Sequence, residues 1–407
     1  MKLTQIPRSF LFLQGVASPF FETFAKKIRS EGYQTYRINF CGGDLNFTQK
    51  TPFTNFQGKL KELPLFYQTI FKKHQITDIF LFGDQRAVHQ PAILLAQQQN
   101  IQVHVFEEGY FRPFWITLEQ GGVNANSALF KKIPLLIHQP PPLNPIQIKE
   151  NHYSLKQRAY YDIKYRFFNL IFIGHFKYYQ NHRPYNGFME YFGWIQRFTL
   201  LPFYQKKAHQ LLEKLITTKK SFFIMPLQLN SDAQIQIHSD FVDIKASIHN
   251  IIASFAQKAD SQHCLIIKNH PLDTGIINYR RYSQKIARQY QIQDRFYFIE
   301  GGNLSCLIKA AQGMVVINST SGLQALSLNC PVCVLGKAIY NIEGLTFQKG
   351  LDLFWQQNKP PEKTLFINFK QILIQETQIN GNFFSQQGID LIIKNMVNKL
   401  NAKFMDG

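Results

Sequence analysis

Short apolar runs, each closed by polar or glycine-containing residues and followed by a stretch with helical spacing, recur along this chain and leave it few folds. FLFLQG (10–15) precedes SPFFETFAKKIRSEG, where Phe20, Phe21, Phe24, Ala25 and Ile28 fall on one helical face and Gly32 supplies a stop. TYRINF (35–40), DIFLFGD (78–84) and IQVHVFEEG (101–109) follow, the last two separated by a helical stretch around PAILLAQQQN. The alternation restarts with SFFIMPLQ (221–228), HCLIIKNHP (263–271), RFYFIEGG (295–302), GMVVINSTSG (313–322) and PVCVLGKA (331–338). Strand and helix in alternation is the pattern of a parallel sheet covered on both faces. Two such sets in 407 residues predict an α/β protein of two doubly wound halves with a cleft between them.

The expected organisation is an N-terminal Rossmann-like domain over 1–150, a basic aromatic segment over 151–207, a second Rossmann-like domain over 208–380 and a C-terminal helix over 381–407. The middle segment has many Lys, Arg and aromatic residues and hardly any acids. It reads either as a helical linker packed through its aromatics or as a surface that touches anionic lipid. No internal repeat at solenoid periods is evident.

A formal net charge of +19 predicts attraction to something anionic: nucleic acid, lipid headgroups, or anionic sugars and nucleotides. No nucleic-acid module is recognisable, so nucleic acid is not an expected partner. No stretch approaches the ~20 apolar residues of a membrane-spanning helix, and the apolar run near the start is too short for a secretory signal, which predicts a cytoplasmic protein. Of five cysteines, Cys330 and Cys333 form a C-x-x-C with no second pair or spaced His cluster to complete a metal site, so they read as buried thiols.

In doubly wound sheets ligands sit beyond the carboxyl ends of the strands, so the residues just after each run are the candidates for chemistry. HVFEEGYFRP places Glu107 and Glu108 side by side after an apolar run, where like charge and burial both cost stability unless a cation or a reaction uses them. INSTSG places Asn318, Ser319, Thr320, Ser321 and Gly322 at the start of a helix, where backbone N–H groups and hydroxyls cradle a phosphate, or merely cap the helix. KNHPLD brings Lys268, His270 and Pro271 to a strand end; the proline holds His270 extended, poised to donate to a leaving phosphate, with Lys268 adding positive charge. MPLQLNSD adds Gln228 and further amide and carboxylate groups. Neither a G-x-x-x-x-G-K-[ST] loop nor a G-x-G-x-x-G turn is present, and no D-x-D element that would hold a metal on a nucleotide diphosphate. A nucleoside monophosphate leaving group held by Ser, Thr and His needs no metal, and no cofactor is expected.

Taken together and in order from about residue 10 to about residue 355, FLQGVASPFF, RINFCGGDLNF, DIFLFGDQRAVHQPA, VFEEGYFRPFWITLEQGGVNANS, PLQLNSDAQIQIHSDF, KNHPLD, INSTSGLQAL and LGKAIYNIEGLTFQ resemble the capsule polysaccharide synthesis proteins of the KpsS type, also called LipB-like. The resemblance implies a GT-B-like glycosyltransferase that moves Kdo from CMP-Kdo in β linkage onto a phosphatidylglycerol-type lipid. The reaction would take place at the inner face of the inner membrane, beside other capsule synthesis and export proteins. E-E-G-Y matches the E-D-G-F element of related β-Kdo transferases, whose second acid is the proposed nucleophile of a retaining double displacement. That places Glu108 in the role, with an extra methylene of reach where Glu replaces Asp. Bacterial sialyltransferases pair a similar acidic element with H-P and a Ser/Thr-rich element, and there the second acid is a base, so an inverting CMP-sialic acid transferase is the alternative, and a non-catalytic assembly or export partner a third. Asp44 in CGGDLNF reads as an acid or base partner or as a plain turn, and Asp84 in FGD is similarly ambiguous. Arg86 and Arg112 either clamp the Kdo carboxylate or neutralise Glu107, itself read as oriented toward a cation at the substrate site.

Overall fold

A computed structural model describes residues 8–139, 148–152, 154–180, 187–229 and 241–405. The chain divides into two compact units, the first formed by residues 1–132, 142–182 and 371–407, the second by 133–141 and 183–370. The alternation read from the sequence is present in both.

In the first unit β1 (Ser9–Phe12), β2 (Gln34–Asn39), β3 (Phe53–Asn55), β4 (Asp78–Phe82), β5 (Gln102–Glu108), β6 (Trp115–Gln120) and the late strand β12 (Gln378–Asn380) form a seven-stranded sheet in the order β12-β6-β5-β4-β1-β2-β3. The helices are α1 (Phe20–Ser30), α2 (Gly42–Asn46), α3 (Leu63–Lys73), α4 (Gln90–Gln98) and α6 (Leu155–Ile171), while α5 (Ala128–Leu136) is divided between this unit and the second. Strands β3 to β5 run parallel through β1, but β6 turns back antiparallel to β5, and β12 (Gln378–Asn380) is antiparallel to β6. The predicted boundaries move accordingly. Residues 371–380, expected in the second domain, belong to the first unit because β12 pairs with β6 there.

One face of this sheet carries an aromatic core in which Phe10, Phe12, Phe20, Phe24, Phe80, Phe106 and Phe383 are buried together, closed by Ile389, Ile392 and Met396 of α14 (Gln386–Met405). Edge-to-face contacts such as Phe12–Phe24 and Phe20–Phe106 add specific geometry to the apolar burial. The opposite face packs Leu11, Leu13, Ile79, Leu81, Val103 and Val105 against α3 and α4 residues including Tyr67, Ala92 and Ala96.

In the second unit α7 (Gly187–Thr217) precedes β7 (Phe222–Pro226), α8 (Ile244–Lys258), β8 (Cys264–Lys268), α9 (Tyr279–Gln289), β9 (Phe296–Ile299), α10 (Leu304–Ala310), β10 (Gly313–Val316), α11 (Ser321–Ser327) and β11 (Val332–Val334), with α12 (Leu351–Gln357) after them and α13 (Lys363–Thr377) divided between this unit and the first. All five strands are parallel, in the order β11-β10-β7-β8-β9. Their burial on both faces explains why they read as continuous apolar runs. Cys264, Cys330 and Cys333 are buried free thiols in this unit, Cys306 is exposed, and Cys41 is a buried free thiol of the first.

The segment expected at 151–207 is therefore two helices in two units. α6 belongs to the first and lies across α2, its Tyr161 and Tyr165 rings against Phe47. Gly42 and Gly43 allow this approach: a methyl group at Gly42 would collide with the Phe168 backbone carbonyl of α6. The Asn169 side-chain oxygen accepts from the Gly43 N–H at 2.6 Å. Gly42→Ala is expected to lower the stability of the first unit by about 2–3 kcal/mol through overpacking against backbone, measured as a lowered denaturation midpoint at unchanged denaturant slope.

Candidate functional site

Both sheets place their candidate residues at the carboxyl ends of strands, and both have the reversal of strand order at which such sheets bind ligands. In the first unit the reversal lies between β1 and β4. Arg86, beyond β4, donates there to the Gln14 side-chain oxygen at 3.0 Å and to the Gly15 carbonyl at 3.1 Å, both beyond β1. In the second it lies between β7 and β10. Gln228 donates there to the Asn318 side chain at 2.9 Å and accepts from the Asn318 N–H at 3.3 Å. A polar pair thus spans each reversal.

Glu107 and Glu108 end β5, where side-chain alternation sends them to opposite faces. Gly109 follows because the chain folds straight back into β6: a side chain there would collide with the Trp115 carbonyl. Glu108 lies on the aromatic side and is 17% exposed. Its Oε1 is 3.0 Å from Nη2 of Arg158 on α6, and its Oε2 is 4.0 Å from Nε of Arg112. Arg158 is stacked over the Phe384 ring at 4.6 Å, which fixes its guanidinium. Glu108, Arg112, Trp115, Arg158, Asn382 and Phe384 line a cavity of ≈ 180 Å³ within this unit. A carboxylate with two guanidiniums at the wall of a small cavity can bind an anion and, beside it, stabilise or attack a carbon that becomes positive.

Glu107 faces the other side, where its Oε1 accepts from the Glu108 N–H at 3.1 Å. Burial pushes its carboxyl up from the ordinary 4.5 to about 7, the neighbouring Glu108 charge adds to the rise, and Arg86 and Arg112 oppose it. Glu119 on β6, two positions from the Thr117 that pairs with Glu107, is also pushed to about 7, chiefly by burial, against the hydrogen bond from Ser127. Sequence reasoning missed Glu119; its signal was an acid at an inward position of WITLEQ.

Asp44 is 1% exposed. Its Oδ2 accepts from Gln14 and from the Phe40 N–H, each at 3.0 Å, and its Oδ1 accepts from the Tyr165 hydroxyl at 2.9 Å. Asp84 is buried and accepts from the Asn126 side chain at 2.9 Å and the Val123 N–H at 3.2 Å. Both carboxylates serve local structure. Arg112 is the exposed member, half out in solvent, and donates to the Gly109 carbonyl at 3.2 Å.

In the second unit Lys268 and Asn269 are buried at the end of β8, His270 is half-buried and Pro271 exposed. The His270 Nδ1 accepts from the Leu272 N–H at 3.1 Å, which leaves the proton of the neutral ring on Nε2. Burial, assisted by Arg197, lowers the Lys268 ammonium to about 8, against a raising effect of Glu300. Arg197 of α7 bridges Asp273 and Glu300, each at 3.2 Å, and Asn269 donates to the same two carboxylates at 3.1 and 2.8 Å. This buried lattice holds the K-N-H-P turn rigid, and Arg197 carried no sequence signal beyond its basic, aromatic surroundings.

Ser319, Thr320 and Ser321 are half-exposed before and at the start of α11, and Gly322 is buried. The Ser319 hydroxyl accepts from the Ser321 N–H at 3.2 Å and from the Ser321 hydroxyl at 2.9 Å, while its carbonyl accepts from the Tyr340 hydroxyl. Ser319 therefore does the capping, and the Thr320 side chain makes no cap bond. Of the amide and carboxylate groups in MPLQLNSD, Gln228 is in place and residues 230–232 lie outside the described residues.

A family profile described as "Capsule polysaccharide biosynthesis protein" matches residues 77–384. The chain is similar to the capsule polysaccharide export protein KpsS of Escherichia coli, 30% identical over 378 residues that cover 93% of this chain and 97% of the relative. It is also similar to the capsule polysaccharide modification protein LipB of Neisseria meningitidis serogroup B, 34% identical over 400 residues, 94% and 93% of the two chains. Among solved structures, KpsC of Thermosulfurimonas dismutans, titled a beta Kdo 2,7 transferase, matches at 13% identity with a TM-score of 0.45, covering 96% of this chain and 99% of that one.

The raised carboxyls give a stability dependence with a definite sign. Between about pH 4.5 and 7 the unfolded chain releases protons that folded Glu107 and Glu119 retain. Stability of the first unit is therefore expected to fall as pH climbs through that window and to level above it. Glu107→Gln should flatten the slope and raise stability at pH 8 by about 1–3 kcal/mol, read from denaturant midpoints across the pH range.

Proposed function

Since the chain belongs to the capsule polysaccharide biosynthesis family, we propose that it is a glycosyltransferase that moves Kdo from CMP-Kdo onto a phosphatidylglycerol-type lipid in β linkage. It would thereby begin the Kdo linker of a capsular polysaccharide, working at the inner face of the inner membrane. The observation that carries this reading is Glu108, a partly exposed carboxylate at a strand's carboxyl end on the wall of a cavity that also holds Arg112 and Arg158.

Kdo carries a carboxylate next to its anomeric carbon, so a guanidinium pair beside a nucleophile suits it: one Arg meets the sugar carboxylate while the Glu108 oxygen stays within reach of that carbon. The anomeric C–O bond to CMP breaks through an oxocarbenium-like state, and CMP departs with the electron pair. The Glu108 carboxylate then bonds the carbon. In a second displacement the lipid hydroxyl bonds the carbon as Glu108 leaves with the electron pair as a carboxylate, and the hydroxyl proton passes to water, so the starting configuration is retained. Asp44, with both oxygens occupied, is assigned a positioning role in this scheme through Gln14 and Tyr165.

In the second unit the half-exposed Ser319, Thr320 and Ser321 with His270 are assigned to the CMP phosphate. The local bond at Nδ1 supports this by leaving Nε2–H as the donor of His270. Gln228 and Asn318 stand at the sheet reversal where a nucleoside fits, and Lys268 contributes charge from behind the turn.

Purified protein given CMP-Kdo and a fluorescent phosphatidylglycerol analogue is expected to add sugar, in the presence of EDTA as well as without it. Glu108→Gln should lower turnover by about 10³-fold or more, and His270→Ala by about 10²-fold, each with an unchanged melting profile. Transfer from CMP-Neu5Ac but not from CMP-Kdo would establish the sialic acid alternative. Capsule assembly untouched by both substitutions would establish a non-catalytic assembly partner.

A further inference from the structure

α6 has an apolar face that nothing in the first unit covers. None of its 17 residues is fully buried. Tyr161, Tyr165, Phe168 and Phe172, spaced four, three and four apart, form the side that meets α2 and Phe47. Tyr160, Ile163, Phe167, Leu170 and Ile171 form a second stripe on the solvent side, with Phe167 56% and Leu170 68% exposed. Leu155 at the start of the helix and Ile173 just beyond its end are also exposed, at 69% and 66%. A run of large apolar side chains along one helix face, left in water, marks a contact surface.

The charges around the stripe decide what the contact is. Lys156 is exposed on the same face, Lys164 borders it, and Lys177 is exposed just beyond the helix. The only acid in the helix, Asp162, is tied to Arg166 at 2.9 Å. A second copy of this chain would bring Lys156, Lys164 and Lys177 against the same cations, whereas an anionic bilayer meets both the apolar stripe and the basic rim. No described helix is long and apolar enough to cross a membrane, so α6 lies in the plane of the surface.

We propose that the outer face of α6 is a docking surface for an anionic lipid bilayer, inserted through Tyr160, Ile163, Phe167, Leu170 and Ile171 and held by Lys156 and Lys164. The same helix presents Arg158 to Glu108 and Tyr165 to Asp44. Docking therefore anchors a wall of the Glu108 cavity at the bilayer. The inference deepens the proposed lipid transfer and rests on it only for the identity of the acceptor.

Flotation of the full chain with vesicles of phosphatidylcholine alone or mixed with phosphatidylglycerol, without donor or acceptor, tests it. Binding is expected to the phosphatidylglycerol vesicles and to weaken as salt is raised. The pair Phe167→Glu and Leu170→Glu should weaken it at least ~tenfold. Lys156→Glu, which leaves the apolar stripe intact and changes an exposed side chain, should weaken it by ~threefold or more even if the pair fails to fold. Wild-type protein that stays off phosphatidylglycerol vesicles overturns the proposal. So does Lys156→Glu floating like wild type, or light scattering that shows a dimer dissolved by either change. Glu108→Gln should float normally whatever its activity, so failure of the proposed chemistry and failure of docking are read separately.

Discussion

The first unit is organised around the buried Asp44 carboxylate. Its two oxygens take bonds from β1 through Gln14, from the backbone after β2 at Phe40, and from α6 through Tyr165. A charge that deep is tolerated only when such donors surround it. Gln14 also accepts from Arg86 across the reversal of the sheet, so one connected network ties α6, the ends of β1 and β2, and the loop after β4. Cys41 and Tyr179 lean on the same network, and burial beside the Asp44 charge pushes the thiol and both tyrosine hydroxyls above their usual ranges. They therefore serve as neutral hydrogen-bonding groups. The position of Arg158, and with it the ion pair of Glu108, follows from this anchoring of α6.

What was legible in the sequence is what local chemistry dictates. Apolar runs bounded by glycine and polar residues gave the parallel strands, because a strand buried on both faces must be apolar throughout. The carboxyl-end rule then gave Glu108, His270 and the serines before α11. Long-range returns were not legible. Gln378–Asn380 is only three residues long and finds β6 from 263 positions away in the pairing of Ile379 with Ile116, held by side-chain bonds such as Gln378 to the Tyr110 N–H at 2.9 Å. Nothing in TQIN, read alone, announces that partner. Arg158 and Arg197 were hidden for a similar reason. Each is one cation among many in 151–207, and only the seating of its helix brings it to Glu108, or to Asp273 and Glu300.

The segment 151–207 also shows why composition alone left two readings open. Basic, aromatic and nearly free of acids, it suits both burial and a lipid surface. α6 uses its two long faces differently: the Tyr165 hydroxyl goes inward to Asp44 and Cys41, while Ile163, Phe167, Leu170 and Ile171, which need no polar partner, remain outside. In this helix packing against the core and availability to a surface are properties of opposite sides.

Adjacent acids at the end of β5 are reconciled by the period of the strand. Two neighbours in a strand point to opposite faces, so Glu107 and Glu108 enter different surroundings while the Glu108 N–H still donates to the Glu107 carboxylate. Glu107 enters a region with Glu119 where burial and neighbouring acids raise both carboxyls. Glu108 enters an aromatic wall furnished with two guanidiniums. The glycine that follows forces the immediate return into β6 and brings Trp115 and Ile116 to the cavity beside Glu108. E-E-G is thus a single device: the first acid enters a buried region, the second faces the cavity, and the glycine folds the chain back to enclose it.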